Sequence, residues 1–457
     1  MTNLDTDYAR KVADRLSALV TAHKVAGASL AVLQHGEVVA EAAAGFAHIG
    51  AGIEATTETV FQIGSISKVW TATVAMQLVD AGELELDAPI RRVMPQLRLS
   101  TDELTEGVTL RHLLSHTSGI DGDFFAETGR GDDNLEKFAA LLEGVAANHP
   151  LGVTQSYCNA GYSLLGRVLE VVTGVQWDQL MRERLFQPLG LTRTGTLPEE
   201  ALLHRAAIGH GGDPLTPVPL WGLMRSAGPA GLIHSTPRDV LKFVKLHLDK
   251  GVTEDGTRVV SEAAAAQMLQ PQVAMPDPYV LGKHWGLGWF LDEWDGAAVY
   301  GHDGGTIGQS AFLRVLPEHG LAIVLLTNGG GAATLYHQIF AEIVQELAGV
   351  TMRPPVGPSL EQLPFDPAEY VGRYERAGTH MEVQERDGKL LLIMKNVGHL
   401  AALAGEQRME LEMETFEKDV FVVMRPELGV HFPVVFYDLP DGSRYLHHGV
   451  RANPKVA

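Results

Sequence analysis

Apolar positions at the start of the chain recur at helical spacing: Tyr8, Val12, Leu16, Leu19 and Val20 share one face, which predicts a helix over residues 4–24. Residues 28–44 then read as two β-strands joined by a turn at 34–37. From 65 to 81 the pattern changes again. Val69, Trp70, Ala72, Val74, Ala75, Met76, Leu78 and Val79 leave no polar face, and the run stops before Gly82, as a helix buried on all sides would. Residues 105–250 alternate helical segments with loops rich in Gly, Asp and Pro, and strands return at 285–291, 310–316 and 321–326. One β layer is thus expected to draw strands from both ends of the first 350 residues, with helices inserted between them.

Pro354, Pro355, Pro358, Pro364 and Pro367 crowd the next stretch and cannot continue a helix. Beyond Tyr370, short strand-like runs are separated by Asp387-Gly388, by residues 426–429 and by Asp441-Gly442, the turn chemistry of hairpins in a small antiparallel sheet or barrel. The organisation read from this is a first unit over 1–350, a proline-rich linker over 351–367 and a small β unit over 368–457.

At 457 residues, with 45% hydrophobic and 20% charged positions, the chain has material for more than one globular core. Its 36 basic against 56 acidic residues give a formal charge of -20, which repels phosphate backbones and excludes nucleic acid as an expected partner. Residues 1–20 are charged and lack the apolar core and cleavage site of a secretory signal, and no apolar run reaches the roughly 18 residues of a membrane helix. A single cysteine, Cys158, rules out an internal disulfide or a thiolate cluster. The expectation is a cytoplasmic protein with no membrane partner.

Three groups of residues carry chemistry. Ser65 and Lys68 stand one helical turn apart at the mouth of the apolar helix, which brings an amine beside a hydroxyl; among core side chains that amine loses its charge readily and can take the serine proton. Tyr157-Cys158-Asn159 precedes a second apolar helix: a tyrosine there can share the proton and an amide can hold the lysine. Tyr300-Gly301-His302-Asp303-Gly304-Gly305 sits ahead of a strand, its glycines allowing backbone to approach a bound acyl group. Each has a plainer reading as well: a solvated helix start, a core tyrosine with an asparagine cap, a β-turn.

In this order the three groups resemble the Ser-x-x-Lys, Tyr-x-Asn and His-x-Gly motifs of the serine β-lactamase and penicillin-binding-protein superfamily over residues 10–350, and the segment Leu113-Leu114-Ser115-His116-Thr117-Ser118-Gly119 between them is similar to that family too. The resemblance implies an α+β fold, an antiparallel sheet flanked by helices with an all-helical region, followed by a lipocalin-like β-barrel. It implies Ser65 as nucleophile, Lys68 as its base, Tyr157 as the carrier of the proton to the leaving group and Asn159 as the residue that orients Lys68. The backbone amides of Ser65 and Gly305 would form the oxyanion hole, with Gly304 beside the substrate and His302 in the place of the usual lysine. A mostly neutral imidazole is a poorer anchor for a carboxylate than an ammonium, so Arg451, near the end of the barrel, becomes a candidate for that contact, against the plainer reading of a surface arginine on an edge strand.

Other sites compete weakly. His112 and His116 have the spacing of a zinc pair but no third ligand nearby, so no metal and no cofactor are expected. Trp221, Trp285, Trp289 and Trp294 are candidates for the wall of an acyl pocket. Cys158 reads as a small packed residue, and no Gly-x-Ser-x-Gly elbow of an α/β-hydrolase occurs. The expected activity is acyl transfer through Ser65 from a small-molecule or peptidyl ester, thioester or amide. Relatives with a barrel tail include thioesterases that release or macrocyclise nonribosomal peptides after a D-residue, with a carrier protein as a possible partner. An esterase or D-stereospecific peptidase, and a non-catalytic ligand-binding protein on the same fold, stand beside that reading.

Overall fold

The computed structural model describes residues 6–361, 363–398, 401, 408–425 and 429–456. The first helix runs Thr6–Ala22 and turns Val12, Leu16 and Leu19 onto one face of a nine-stranded antiparallel sheet. The strand order across that sheet is Ile53–Glu54, Glu37–His48, Gly27–Gln34, Leu321–Thr327, Gln309–Leu316, Ala297–Thr306, Phe290–Trp294, His284–Trp285 and Val273–Ala274. Strands from the two ends of the first 350 residues therefore meet at its centre, where Gly27–Gln34 pairs with Leu321–Thr327. That central strand is buried at every position because both faces are covered. Leu321, Ile323 and Leu325 meet the layer formed by Thr6–Ala22 and Ala332–Ala348, while Ala322, Val324 and Leu326 meet the inserted helices on the other side.

The apolar run after Ser65 forms the helix Ser67–Asp80, here the serine helix, buried along nearly its whole length with Trp70 stacked 4.2 Å from Phe243. A second central helix, Asn159–Thr173, starts at the Tyr157 motif and is here the asparagine helix.

Two local expectations are corrected. Residues 285–291 do not make one strand: the chain bends between His284–Trp285 and Phe290–Trp294, where Gly288 takes a φ of +97° and a Cβ there would stand 2.8 Å from Ala72 Cβ on the serine helix. Conversely, the Tyr300 to Gly305 segment does not precede a strand and is not the plainer β-turn either: it is part of the strand Ala297–Thr306, paired through Gly304 to Ala311 and Gly305 to Ser310. Residues 4 and 5 of the expected first helix lie outside the described residues.

After Ala348 the described residues run without helix or strand past Pro354, Pro355, Pro358 and Pro364 to a 3₁₀ turn at Pro367–Glu369, held by Arg353 Nη2 on Asp292 Oδ1 at 2.6 Å and by Thr351 N donating to Asp295 Oδ2 at 2.8 Å. Eight antiparallel strands follow in sequence order from Gly372–Arg376 to Arg451–Pro454. The first and last come together through a bridge between Tyr374 and Lys455 and a hydrogen bond from Val456 N to Arg373 O of 2.8 Å, so the sheet curls into a nearly closed barrel. Its interior is filled by side chains, among them Tyr374, Leu392, Phe421 and Phe436. Asp387 and Gly388 both take left-handed φ in their hairpin turn, as their sequence demands. Of the turn at 426–429, residues 426–428 lie outside the described residues. No helix among the described residues is long and apolar enough to cross a membrane.

Candidate active site

Ser65 sits in a single 3₁₀ turn, Gly64–Ile66, that leads into the serine helix, and Lys68 follows one turn later with its side chain fully buried. Lys68 Nζ lies 2.7 Å from Asn159 Oδ1, 2.7 Å from the Ala230 carbonyl oxygen and 3.1 Å from Ser65 Oγ. Burial drives its ammonium well below the ordinary lysine range, and the Arg451 charge pushes the same way against weaker opposition from Cys158 and Asp123. As a neutral amine, Lys68 has two N–H groups for the two carbonyl acceptors and a lone pair left to face the Ser65 hydroxyl.

Tyr157 lies in the wall beside them, with Lys68 Nζ 4.7 Å from its ring centroid. Its hydroxyl is buried and without a hydrogen-bond partner among the described residues. Burial pushes its pKa up, and the nearby Ser65 hydroxyl, outside hydrogen-bond geometry, and the Arg451 charge oppose that rise. Asn159 opens the asparagine helix and donates its backbone N–H to Gly122 O at 3.0 Å, which fixes where its side-chain amide reaches Lys68.

On the facing strand, glycines are required by close approach. A Cβ on Gly304 would overlap the Ile63 carbonyl and stand 3.1 Å from Ser65 N, and one on Gly64, itself at φ +53°, would stand 2.6 Å from Gly305 N. The Ser65 amide and the Gly304-Gly305 backbone therefore lie against each other, the arrangement an oxyanion hole needs. His302 is buried, donates from Nδ1 to its neighbour's carbonyl, Asp303 O, at 2.6 Å, and is pushed down to about 3 by burial with Lys68 adding to it, so the imidazole is neutral.

Arg451 is not a free surface arginine. Only 20% of its side chain is exposed, and it clamps Asp123 through Nε at 3.0 Å and Nη2 at 2.8 Å while its Cζ lies 5.1 Å from the Tyr157 ring centroid. Asp123 is shared with Arg376 of the barrel's first strand, whose Nη2 stands 2.7 Å from Oδ2, and the two guanidiniums hold its carboxyl well below the usual carboxylate range despite burial. The barrel also grips the tyrosine motif directly: Tyr157 N donates to Val450 O at 2.9 Å and Ala452 N to Ser156 Oγ at 3.2 Å.

Ser65, Tyr157, Asn159, His302, Gly304, Gly305 and Arg451 all line one cavity of about 840 Å³. Its remaining walls are largely apolar and include Phe125, Leu220, Leu223 and Val450. The tryptophan expectation fails in detail, because the cavity is walled by none of the four: Trp285 packs behind it against Tyr157 and His302 at 5.7 and 5.5 Å, Trp289 lies in the core, Trp221 donates to Ala207 O, and Trp294 packs on the outer face of the sheet. His112 caps its own helix through Thr109 whereas His116 is buried beneath Tyr157, and no group of three metal donors occurs among the described residues. The Cys158 thiol is buried, accepts from Gly161 N at 3.1 Å and is pushed up to about 12, which leaves it inert. Asp123, Arg376 and Val450 had no signal in the sequence, since nothing in an Asp-Gly-Asp loop announces partners in a distant barrel.

A serine held by a buried lysine, beside a buried tyrosine and a glycine-lined strand, defines a serine acyl-transfer enzyme. The sequence model of the Beta-lactamase family matches residues 12–346, and the chain belongs to that family. It is 48% identical to penicillin-binding protein 4 of Amycolatopsis lactamdurans over 371 residues, which cover 80% of this chain and 97% of that relative. Among solved structures, SurE is similar over 99% of this chain and 100% of its own, with a TM-score of 0.78 and 27% identity. The crystal structure of SurE with D-Leu matches at a TM-score of 0.75 and 26% identity, over 98% of this chain and 99% of that one. The chain is accordingly a serine hydrolase or acyltransferase with a β-lactamase fold and a barrel attached.

Proposed function

We propose that this enzyme forms an acyl intermediate on Ser65 from a peptidyl thioester ending in a D-residue and releases or macrocyclises the peptide. The observation that carries the acyl-enzyme step is the placement of Lys68, whose Nζ lies 2.7 Å from Asn159 Oδ1, 2.7 Å from Ala230 O and 3.1 Å from Ser65 Oγ, so that once deprotonated it can give an N–H to each carbonyl and turn its lone pair to the serine. Ser65 Oγ bonds to the carbonyl carbon as Lys68 takes its proton, and the developing oxyanion turns toward the amides of Ser65 and Gly305. The proton passes through Tyr157 to the leaving sulfur as the C–S bond breaks. In the second half a water or amine forms a new bond to the acyl carbon, the ester C–O bond breaks, and Ser65 recovers its proton by the same route.

The largely apolar cavity suits a peptidyl chain with apolar side chains, and Gly304 and Gly305 line it from the strand. Arg451 keeps N–H groups beyond those spent on Asp123 and Gly449, a means of engaging a substrate carbonyl or carboxylate. The D-configuration rests on the full-length likeness to SurE, a protein solved with D-Leu. Delivery of the donor on a carrier protein belongs to the same proposal.

A second reading, a simple esterase or D-specific peptidase, is favoured by one feature: the neutral His302 leaves a free substrate carboxylate no cation on the strand to bind. Intact-mass measurement of wild type and Ser65→Ala after brief exposure to a nitrophenyl ester and to peptidyl thioesters ending in D- or L-leucine separates the readings. An adduct on wild type alone with cyclic product from the D-donor supports the cyclase; linear acid alone supports the hydrolase. No adduct from any donor turns the reading to a ligand-binding protein.

A further inference from the structure

His116 belongs to the Leu-Leu-Ser-His-Thr-Ser-Gly segment that the reaction scheme above leaves without a task. It is completely buried, with a left-handed φ of 59° that non-glycine residues adopt at a cost. Its contacts bracket one residue. The His116 carbonyl accepts from Ser156 N at 2.9 Å, and its Nδ1 accepts from Cys158 N at 3.0 Å, so the amides on both sides of Tyr157 are tied to the same histidine. Its ring then lies under the tyrosine itself, 4.3 Å between centroids, and is backed edge-on by Trp285 at 4.7 Å. Nδ1 can accept only if the ring's proton sits on Nε2, which is buried with no partner among the described residues.

We propose that His116 is the positioning residue of Tyr157: one imidazole in the Nε2–H form and its own carbonyl together fix the backbone and the ring plane of the tyrosine that carries the proton between Ser65 and the leaving group. The left-handed backbone is what turns carbonyl and ring toward the same neighbour, which accounts for strain at a site where an ordinary core residue would need none. Burial, with Lys68 and His302 adding to it, holds the ring well below the usual histidine range, which keeps Nδ1 free to accept. This inference rests on the acyl-enzyme reading of Ser65.

Asparagine and glycine separate positioning from mere packing, because both tolerate the left-handed backbone but only asparagine offers an acceptor near the place of Nδ1. In the full chain, His116→Gly is expected to lower the burst rate of Ser65 acylation by 4-nitrophenyl butyrate about 100-fold while KM stays within about twofold. His116→Asn is expected to recover most of that loss. Selective ¹⁵N labelling of histidine in wild type, with His116→Asn supplying the assignment, is expected to show an unprotonated Nδ1. A folded His116→Gly that acylates at the wild-type rate overturns the proposal, and so does a protonated Nδ1, which can be read even if the glycine variant does not fold. If wild type itself fails to acylate, Ser65 stays unlabelled and the proposed function falls first.

Discussion

Arg451 and Asp123 meet in a two-pronged ion pair, 3.0 Å from Nε and 2.8 Å from Nη2, that joins the last strand of the barrel to the loop ahead of Tyr157. Because Asp123 also balances Arg376, the two partners are unequal. Asp123→Ala takes the carboxylate from the largely buried Arg451 and leaves Arg376 with Asp121 alone, at 3.5 Å, and breaking such a pair from one side costs about 3–5 kcal/mol. Arg451→Ala leaves Asp123 still paired and costs less. Urea unfolding of both variants and the double mutant is expected to give that order, with the double mutant far from additive.

The strand glycines make a contrast of their own. Gly304→Ala drives a Cβ into the Ile63 carbonyl and parts the strand from the Ser65 turn, so acylation is expected to fall by about 10²–10³-fold. Gly305→Ala meets nothing within 4 Å and is expected to fold normally and to keep acylation within about tenfold. Single-turnover rates on one ester separate the two.

The charge state of Lys68 sets the acid limb of the pH profile. With its pKa displaced well below 10.5, the amine is already deprotonated on the alkaline side of that lowered value, and acylation is expected to rise with pH and level off before the ordinary lysine range. The alkaline fall waits for Tyr157, whose pKa burial raises above 10.0. Arg451 lowers the Lys68 pKa, so Arg451→Met is expected to move the acid limb to higher pH. A limb that stays in place would show that Arg451 does not act on Lys68.

Acid should loosen the barrel's attachment. His447, which donates to Gln155 Oε1 at 3.3 Å across that contact, and His448, which donates to Pro433 O at 2.8 Å within the barrel, are pushed down to about 3 and about 4 by burial. The unfolded chain therefore binds more protons than the native one between these values and 6.5, so their contribution is intact above pH 6.5 and is lost as pH falls through that window. The melting temperature is expected to drop steadily from pH 6.5 to 4, and less steeply in His447→Gln.

Leu220 is 60% exposed at the cavity lip, an apolar surface that a bound acyl chain would cover. Leu220→Glu is expected to raise KM for donors with apolar side chains about 5- to 10-fold, with little change for an acetyl ester. Steady-state kinetics on the two donors checks it.

The helices and the central strand were legible because their patterns were uniform: the serine helix has no polar face and Leu321–Thr327 is apolar at every position. The same logic misread the two places where glycine decides. Trp285 to Leu291 looks like a strand until Gly288 breaks it, and the Tyr300 to Gly305 run reads as lying ahead of a strand although it is inside one, where Gly301 and Gly304 serve close packing. Ser65, Lys68, Tyr157 and Asn159 could be found because local spacing carries their chemistry. Asp123 with Arg376 and Arg451 could not, because their partnership depends on how a barrel docks more than two hundred residues away, as their numbers show.

The bond from Tyr157 N to Val450 O makes catalysis a sensor of assembly. A refolding chain can regain the nine-stranded sheet, and with it most of its spectroscopic signal, while its tyrosine still lacks one anchor. Activity should then return later than secondary structure, at the pace of the barrel, and mutational drift in the barrel's final hairpin should be constrained by turnover as well as by stability.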